Sequence, residues 1–156
     1  MSLEGLIGDL KNGIGMVRVN AAAELGRLKD KGAEKALMES LGDENLAVRN
    51  NAAFSLGELG SHDAVPKLIA LFSDPEARVR KSAVKALGMI GAREAISPII
   101  QLLAFDQSPA VKKNAIRSLG QIGGPRALQA VGPFTRSPDA ILAAMAKQVI
   151  EKNGNR

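Results

Sequence analysis

The chain has 156 residues and a formal charge of +5, and its 46% hydrophobic content includes four Phe but no Trp, Tyr or Cys. That composition excludes a disulfide framework and thiolate chemistry, and it offers few aromatic rings for stacking bases. No apolar run approaches the roughly 18 residues of a membrane span, and Met1-Ser2-Leu3-Glu4 lacks the charged and apolar regions of a signal peptide, so a soluble cytoplasmic chain is expected.

The charge is uneven. Residues 1–77 hold 8 Lys/Arg against 12 Asp/Glu, whereas residues 78–156 hold 13 against 4. A basic half of this kind can attract an acidic partner.

In chain order, Leu3, Leu6, Ile7 and Leu10 fall at helical i, i+3, i+4, i+7 spacing and predict a first helix. Gly5 and Gly8 weaken it by about 1 kcal/mol each relative to Ala, so a frayed end cap is expected over residues 1–16. Lys11-Asn12-Gly13-Ile14-Gly15 reads as a turn.

A unit then recurs. It begins at Val17, Val48, Val79 and Val111, spaced 31, 31 and 32 residues apart, and a fixed period of this size marks a stacked repeat array. Counting each leading Val as position 0, positions +4, +5, +8 and +11 are also apolar, as in Ala52, Ala53, Leu56 and Leu59. These cover one broad helical face. Gly at +12 (Gly60, Gly91, Gly123, with Lys29 in the first copy) predicts a left-handed helix stop. Gly at +9 (Gly26, Gly57, Gly88, Gly120) lies inside the helix, where it weakens the helix, and implies a neighbour too close for a side chain.

A second helix follows in each unit: Ala33 to Leu41, Ala64 to Phe72, Ala95 to Leu103, and a fourth opening at Ala127. Pro66 and Pro98 fall in first turns, where a missing N–H is harmless. Gly132-Pro133 predicts a short or broken fourth copy. Caps for the next first helices are read at Asp43, Asp74, Ser108 and Ser137. The last segment is read with Ile141, Met145, Val149 and Ile150 on its apolar face, as a terminal cap.

The repeated Val-Arg-x-x-Ala-Ala-x-x-Leu-Gly-x-Leu/Ile-Gly, preceded by Asp and followed by a second helix opening with Ala, resembles the HEAT-like repeat of phycobilisome lyase subunits and many other proteins over about residues 3 to 152. The resemblance implies an all-α, right-handed α-α superhelix of about ten helices. Four full repeats (17–47, 48–78, 79–110, 111–140) would lie between a cap helix at 1–16 and another at 141–156.

Three sets of residues are candidates for function. Asp43, Asp74 and Asp106 each stand six residues before Arg49, Arg80 and Lys112, and position +1 falls within the buried arc, which requires a counter-charge. A structural ladder between repeats is the preferred reading, lacking its acid before Arg18 and carrying Arg136 in the acid's place before Ile141. Lys81, Lys85, Lys113 and Arg117, at positions +2 and +6, form a candidate patch for nucleic acid or another polyanion, with Arg93, Arg126 and Lys147 as extensions. Phe54 shares their side of the stack. Aligned second helices would present Lys35, Glu39, Lys67, Ala70, Ser97, Gln101 and Gln129 as a protein-binding surface. Asn20, Asn51 and Asn114 at +3 are read as bonding an adjacent repeat.

Enzymatic readings fare poorly. The single histidine, His62, cannot build the usual zinc site. Deoxyhypusine hydroxylases resemble the chain but carry His-Glu pairs at +2/+3, where this sequence has Val19-Asn20, Asn50-Asn51, Lys81-Ser82 and Lys113-Asn114. HEAT-like DNA glycosylases use aromatic residues in a basic groove, which the composition does not supply. The expected function is a non-enzymatic scaffold that binds another protein and needs no cofactor, with a polyanion binder second and an accessory subunit of a phycobilin lyase-like activity third.

Overall fold

A computed structural model describes residues 1–155. Ten α-helices follow one another: α1 Leu3–Asn12, α2 Gly15–Leu28, α3 Glu34–Ser40, α4 Leu46–Leu59, α5 Val65–Ala70, α6 Ala77–Ile90, α7 Ile96–Phe105, α8 Pro109–Ile122, α9 Pro125–Val131 and α10 Ala140–Gly154. Among the described residues there is no strand. The odd-numbered helices are the second helices of the repeat and the even-numbered ones the first helices. Together they form the right-handed solenoid expected from the repeat.

The repeat's apolar face becomes the core. Val48, Ala52, Ala53 and Leu56 are fully buried, as are Val79, Ala83, Val84 and Leu87, and then Val111, Ala115, Ile116 and Leu119. In the first copy the same positions are less covered, and Val17 and Leu28 are 39% and 46% exposed.

Position +9 explains the close stacking. A Cβ on Gly57 would sit 2.8 Å from the Cα of Ala86, and one on Gly88 would sit 2.6 Å from Ser118 Oγ. Gly26 meets Ser55 in the same way. The small partner stands at +7, and two of these partners also bond the helix they touch. The Ser55 hydroxyl donates to the carbonyl of Ala22 at 2.7 Å, and that of Ser118 to Val84 at 2.8 Å. The first helices therefore lie flank to flank, while the second helices meet one another only lightly. Closer contact along one row than along the other curves a stacked array toward the close row, so the free face of the first helices is read as the inner one.

The helix stops follow the reading at +12. Gly60 and Gly91 take the left-handed conformation with φ of 63° and 73°, and Lys29 is held there too, at 52°. Gly123 also has positive φ but departs from the helical ψ.

Several local expectations change. The first helix is complete over ten residues despite its glycines, because Ser2 accepts the Gly5 N–H at 3.0 Å and Leu6 and Leu10 are buried against the next turns. Asp43 and Asp74 are not the caps of α4 and α6: the cap positions belong to Asn45 and Glu76, and the aspartates bond those residues' backbone N–H groups instead. Ser108 does cap α8, but Asp139, not Ser137, caps α10. In α10 the buried residues are Leu142, Ala146 and Val149, while Ile141 is 62% exposed. The repeat's position 0 is therefore Leu142, one residue later than read from the sequence. The fourth second helix is short as expected, with α9 passing into a 3-10 turn at Gly132–Arg136.

Candidate functional site

Two surfaces run the length of the solenoid. On the free face of the first helices, positions +2, +6 and +10 line up from one helix to the next. Helix α2 presents Val19, Ala23 and Arg27, and α4 presents Asn50, Phe54 and Glu58. Helix α6 contributes Lys81, Lys85 and Met89, α8 contributes Lys113, Arg117 and Gln121, and α10, counted from Leu142, contributes Ala144, Gln148 and Lys152. From α6 onward this strip carries five cations and no acid.

Lys81, Lys85 and Lys113 are half-buried and Arg117 is exposed. The Lys85 ammonium stands 5.0 Å from the centre of the Phe54 ring, a cation–π contact that joins α4 to α6. Of the extensions read from the sequence, Arg93 lies in the turn before α7, Arg126 on α9, and Lys147 at +5 of α10, all off the strip. Lys152 is on it. Sequence reading missed Lys152, Gln148 and Gln121, and counting the last helix from Leu142 would have found the first two.

Two grooves open on this face. One of about 350 Å³ lies between α8 and α10 and is lined by Arg117, Gln121, Met145, Gln148, Val149 and Lys152, with Gly120 and Asn153. The smaller, about 190 Å³, lies between α2 and α4 beside Phe54, Arg27 and Glu58.

The second surface belongs to the second helices. Lys35 and Glu39 on α3, Lys67 and Ala70 on α5, Gln101 on α7 and Gln129 on α9 are exposed, and Ser97 on α7 is half-buried. Glu39 is 3.9 Å from Lys11.

The charged ladder sits at the edge, in the turns that enter the first helices. Its pairing crosses one repeat boundary forward. Arg18 pairs with Asp43 at 3.0 Å, Arg49 with Asp74 at 2.9 Å and Arg80 with Asp106 at 2.7 Å, each through both the Nε and an Nη group. The residues six apart meet differently: Arg49 Nη1 donates to the backbone carbonyl of Asp43, and Arg80 Nη1 to that of Asp74, both at 2.9 Å. Each arginine thus clamps its own turn and the next. Arg18 joins the ladder, which the six-residue spacing did not show. Lys112 forms no ion pair among the described residues, because one repeat onward the acid's position is held by Ser137.

The electrostatics follow from this geometry. Burial pushes the Asp106 carboxyl up, but hydrogen bonds from Arg80 and the Ser108 N–H outweigh it and hold the group below its ordinary value. The hydrogen bonds to Asp43 and Asp106 raise the Arg18 and Arg80 guanidinium groups further above neutrality.

At +3, the Asn51 amide donates to the carbonyl of Val19 on the previous first helix at 3.0 Å. Asn114 instead bonds Ala110 within its own helix, and Asn20 is exposed. Ser82 donates to Asn50 across the α4–α6 contact at 2.5 Å. His62 is exposed at the turn before α5.

The model of HEAT repeats matches residues 10–84 and 65–151. This chain is a HEAT-repeat protein. A search of the curated proteins finds no match. Among solved structures, the complex of CpcE and CpcF of phycocyanin lyase from Nostoc matches with a TM-score of 0.87 and 28% identity over 100% of this chain. The HEAT-repeat chain spans 66% of that lyase chain's length. A designed armadillo repeat protein in complex with the peptide (KR)4 matches with a TM-score of 0.73 and 21% identity, over 96% of this chain and 80% of that one. An engineered protein matches at 0.74 and 21%, over 99% and 86%. The last two likenesses concern the fold alone. Among the described residues no helix is long and apolar enough to cross a membrane.

Proposed function

We propose that this HEAT-repeat protein is a non-enzymatic adaptor that binds another protein along the inner, first-helix face. The observation that carries the reading is the contrast within the repeat. Positions that stack keep their residue (Val at 0, Ala at +4, Leu at +8, Gly at +9) or stay apolar (+5), whereas on the free face +6 and +10 differ in every copy and +2 repeats only as Lys81 and Lys113. A surface under no packing constraint can vary along its length and so distinguish one partner from others. The grooves and the cation–π pair lie on that face. For this reason the proposal moves the contact surface from the second helices to the first.

The test is comparative co-purification from the native host. One variant carries Asn50→Ala, Phe54→Ala and Lys113→Gln on the inner face; another carries Lys35→Ala, Lys67→Ala and Gln101→Ala on the outer. Loss of a specific protein from the first variant alone supports the proposal, and loss from the second alone contradicts it.

A second reading, an accessory subunit in a phycobilin lyase-like complex, draws support from the 28% identity to a chain of the CpcE–CpcF complex. It requires a second repeat chain or a pigment-bearing protein among the co-purifying species, seen as visible absorbance in the eluate.

A further inference from the structure

The contacts along the first-helix row are not equivalent. Glycine meets a small residue at Gly26–Ser55, Gly57–Ala86 and Gly88–Ser118, but Gly120 meets the branched side chain of Val149. The larger groove lies at that last contact. Its floor is apolar, from Met145 and Val149. Its walls carry a cation and a primary amide from each side, Arg117 and Gln121 from α8 and Gln148 and Lys152 from α10. Asn153 closes the far end, donating to the carbonyls of Val149 at 2.8 Å and Gly120 at 3.5 Å. Neither Arg117 nor Lys152 forms an ion pair among the described residues.

Resting on the reading of the inner face as the contact surface, we infer that this groove binds an extended acidic peptide segment of the partner. Each part of the groove has a use in that complex. Arg117 can hold a carboxylate through two parallel N–H bonds, and Lys152 offers a point charge opposite. Amides both donate and accept, which suits the N–H and C=O groups of a peptide backbone. The apolar floor takes a side chain lying between two carboxylates, since alternate residues of an extended chain face the same way. A phosphate backbone would use the cations but leave the amide acceptors and the floor without partners, and no aromatic ring lines the groove to stack a base.

The extent of the segment follows from the same geometry. Lys81, Lys85 and Lys113 continue the cationic strip as far as α6, beyond which Glu58 on α4 reverses the sign. Packed helices stand about 8–10 Å apart, so α6 to α10 spans roughly 16–20 Å. At about 3.3 Å per residue that distance holds about five or six extended residues.

The experiment uses the full chain and a fluorescently labelled hexapeptide of alternating Glu and Leu, followed by anisotropy. Matching peptides with Gln or Lys for Glu, and a short thymidine oligonucleotide, serve as comparisons. The Glu peptide binds saturably and weakens about tenfold as salt rises from about 0.05 to 0.3 M, while the Gln and Lys peptides do not bind. Arg117→Gln and Lys152→Gln each weaken it about fivefold, and Lys67→Gln on the outer face leaves it unchanged. Circular dichroism melts confirm that the variants are folded.

No saturation with millimolar Glu peptide, unchanged affinity in both groove variants, or tighter binding of the oligonucleotide would each overturn the inference. The assay needs no host partner. Its failure beside intact inner-face co-purification removes the acidic segment alone, whereas peptide binding without any face-dependent co-purification removes the adaptor reading.

Discussion

Replacing Gly57 by Ala separates close stacking from ordinary helix preference. In a helix with free space around it, Gly→Ala stabilises by roughly 0.5–1 kcal/mol, through lower unfolded-state entropy and better helix propensity. At Gly57 the new methyl would lie 2.8 Å from the Cα of Ala86, 3.0 Å from its Cβ and 3.2 Å from Met89 Sδ. Sulfur at the end of a flexible side chain can move aside; the α6 backbone cannot. Reaching ordinary carbon contact, about 3.6 Å, requires α4 and α6 to part by most of an ångström. Overpacking of this kind costs about 1–3 kcal/mol, and the separated helices also lose buried contact. Net destabilisation of about 1–2 kcal/mol is expected after the propensity gain. Gly8 in α1 is the control, since nothing lies within 4 Å of its Cβ position, and Gly8→Ala is expected to stabilise. Urea denaturation followed by far-UV circular dichroism reads both, there being no Trp or Tyr to report by fluorescence. If Gly57→Ala raises the midpoint as Gly8→Ala does, the first helices are not in contact as described.

Three further outcomes follow from the edges of the stack. Asp74→Ala leaves Arg49, with a side chain 14% exposed, without its carboxylate. This should cost about 2–3 kcal/mol, somewhat below the value for a wholly buried pair because two backbone carbonyls still accept from the guanidinium, whereas Lys112→Ala should be near neutral by the same denaturation assay. Because the Asp106 carboxyl is held below its ordinary value in the folded chain, the stability it contributes is complete above about pH 4 and is lost as pH falls through the folded value. Asp106→Asn should therefore lower the midpoint at pH 7 and converge on the parent in acid; a constant gap would refute the assignment. Lys29→Gly relieves a left-handed backbone at a helix end and should stabilise by about 1 kcal/mol, and destabilisation would show that the Lys29 side chain matters more than its φ.

The stack was legible in the sequence because its causes are local and repeated. Val at 0, Leu at +8 and Gly at +9 each impose one geometric requirement that four copies state four times, and Gly at +12 states another in three. The ladder was half legible. The six-residue spacing of Asp43 and Arg49 correctly marks a shared turn, but the partner of each arginine lies 25 or 26 residues onward, a distance set by the superhelix and not by any one helix. The choice between the two faces was not legible, because sequence periodicity shows which helical faces are buried and cannot show which row of helices packs more closely. That depended on Gly57 meeting Ala86 and Gly88 meeting Ser118, contacts between residues about thirty apart. The groove was invisible for a related reason. It lies where Gly120 meets Val149 and not a small residue, a contact that appears only when the last helix is counted from Leu142 and not from Ile141.

The adaptor proposal rests on the inner face, and a photo-crosslinking amino acid placed in the native host at Phe54 or at Lys67 tests it most directly. Phe54 lies on the free face of the first helices and Lys67 on that of the second, and both substitutions spare the core. Binding along the inner face predicts a discrete crosslinked protein from position 54 and none from position 67. Crosslinks from position 67 alone would contradict it.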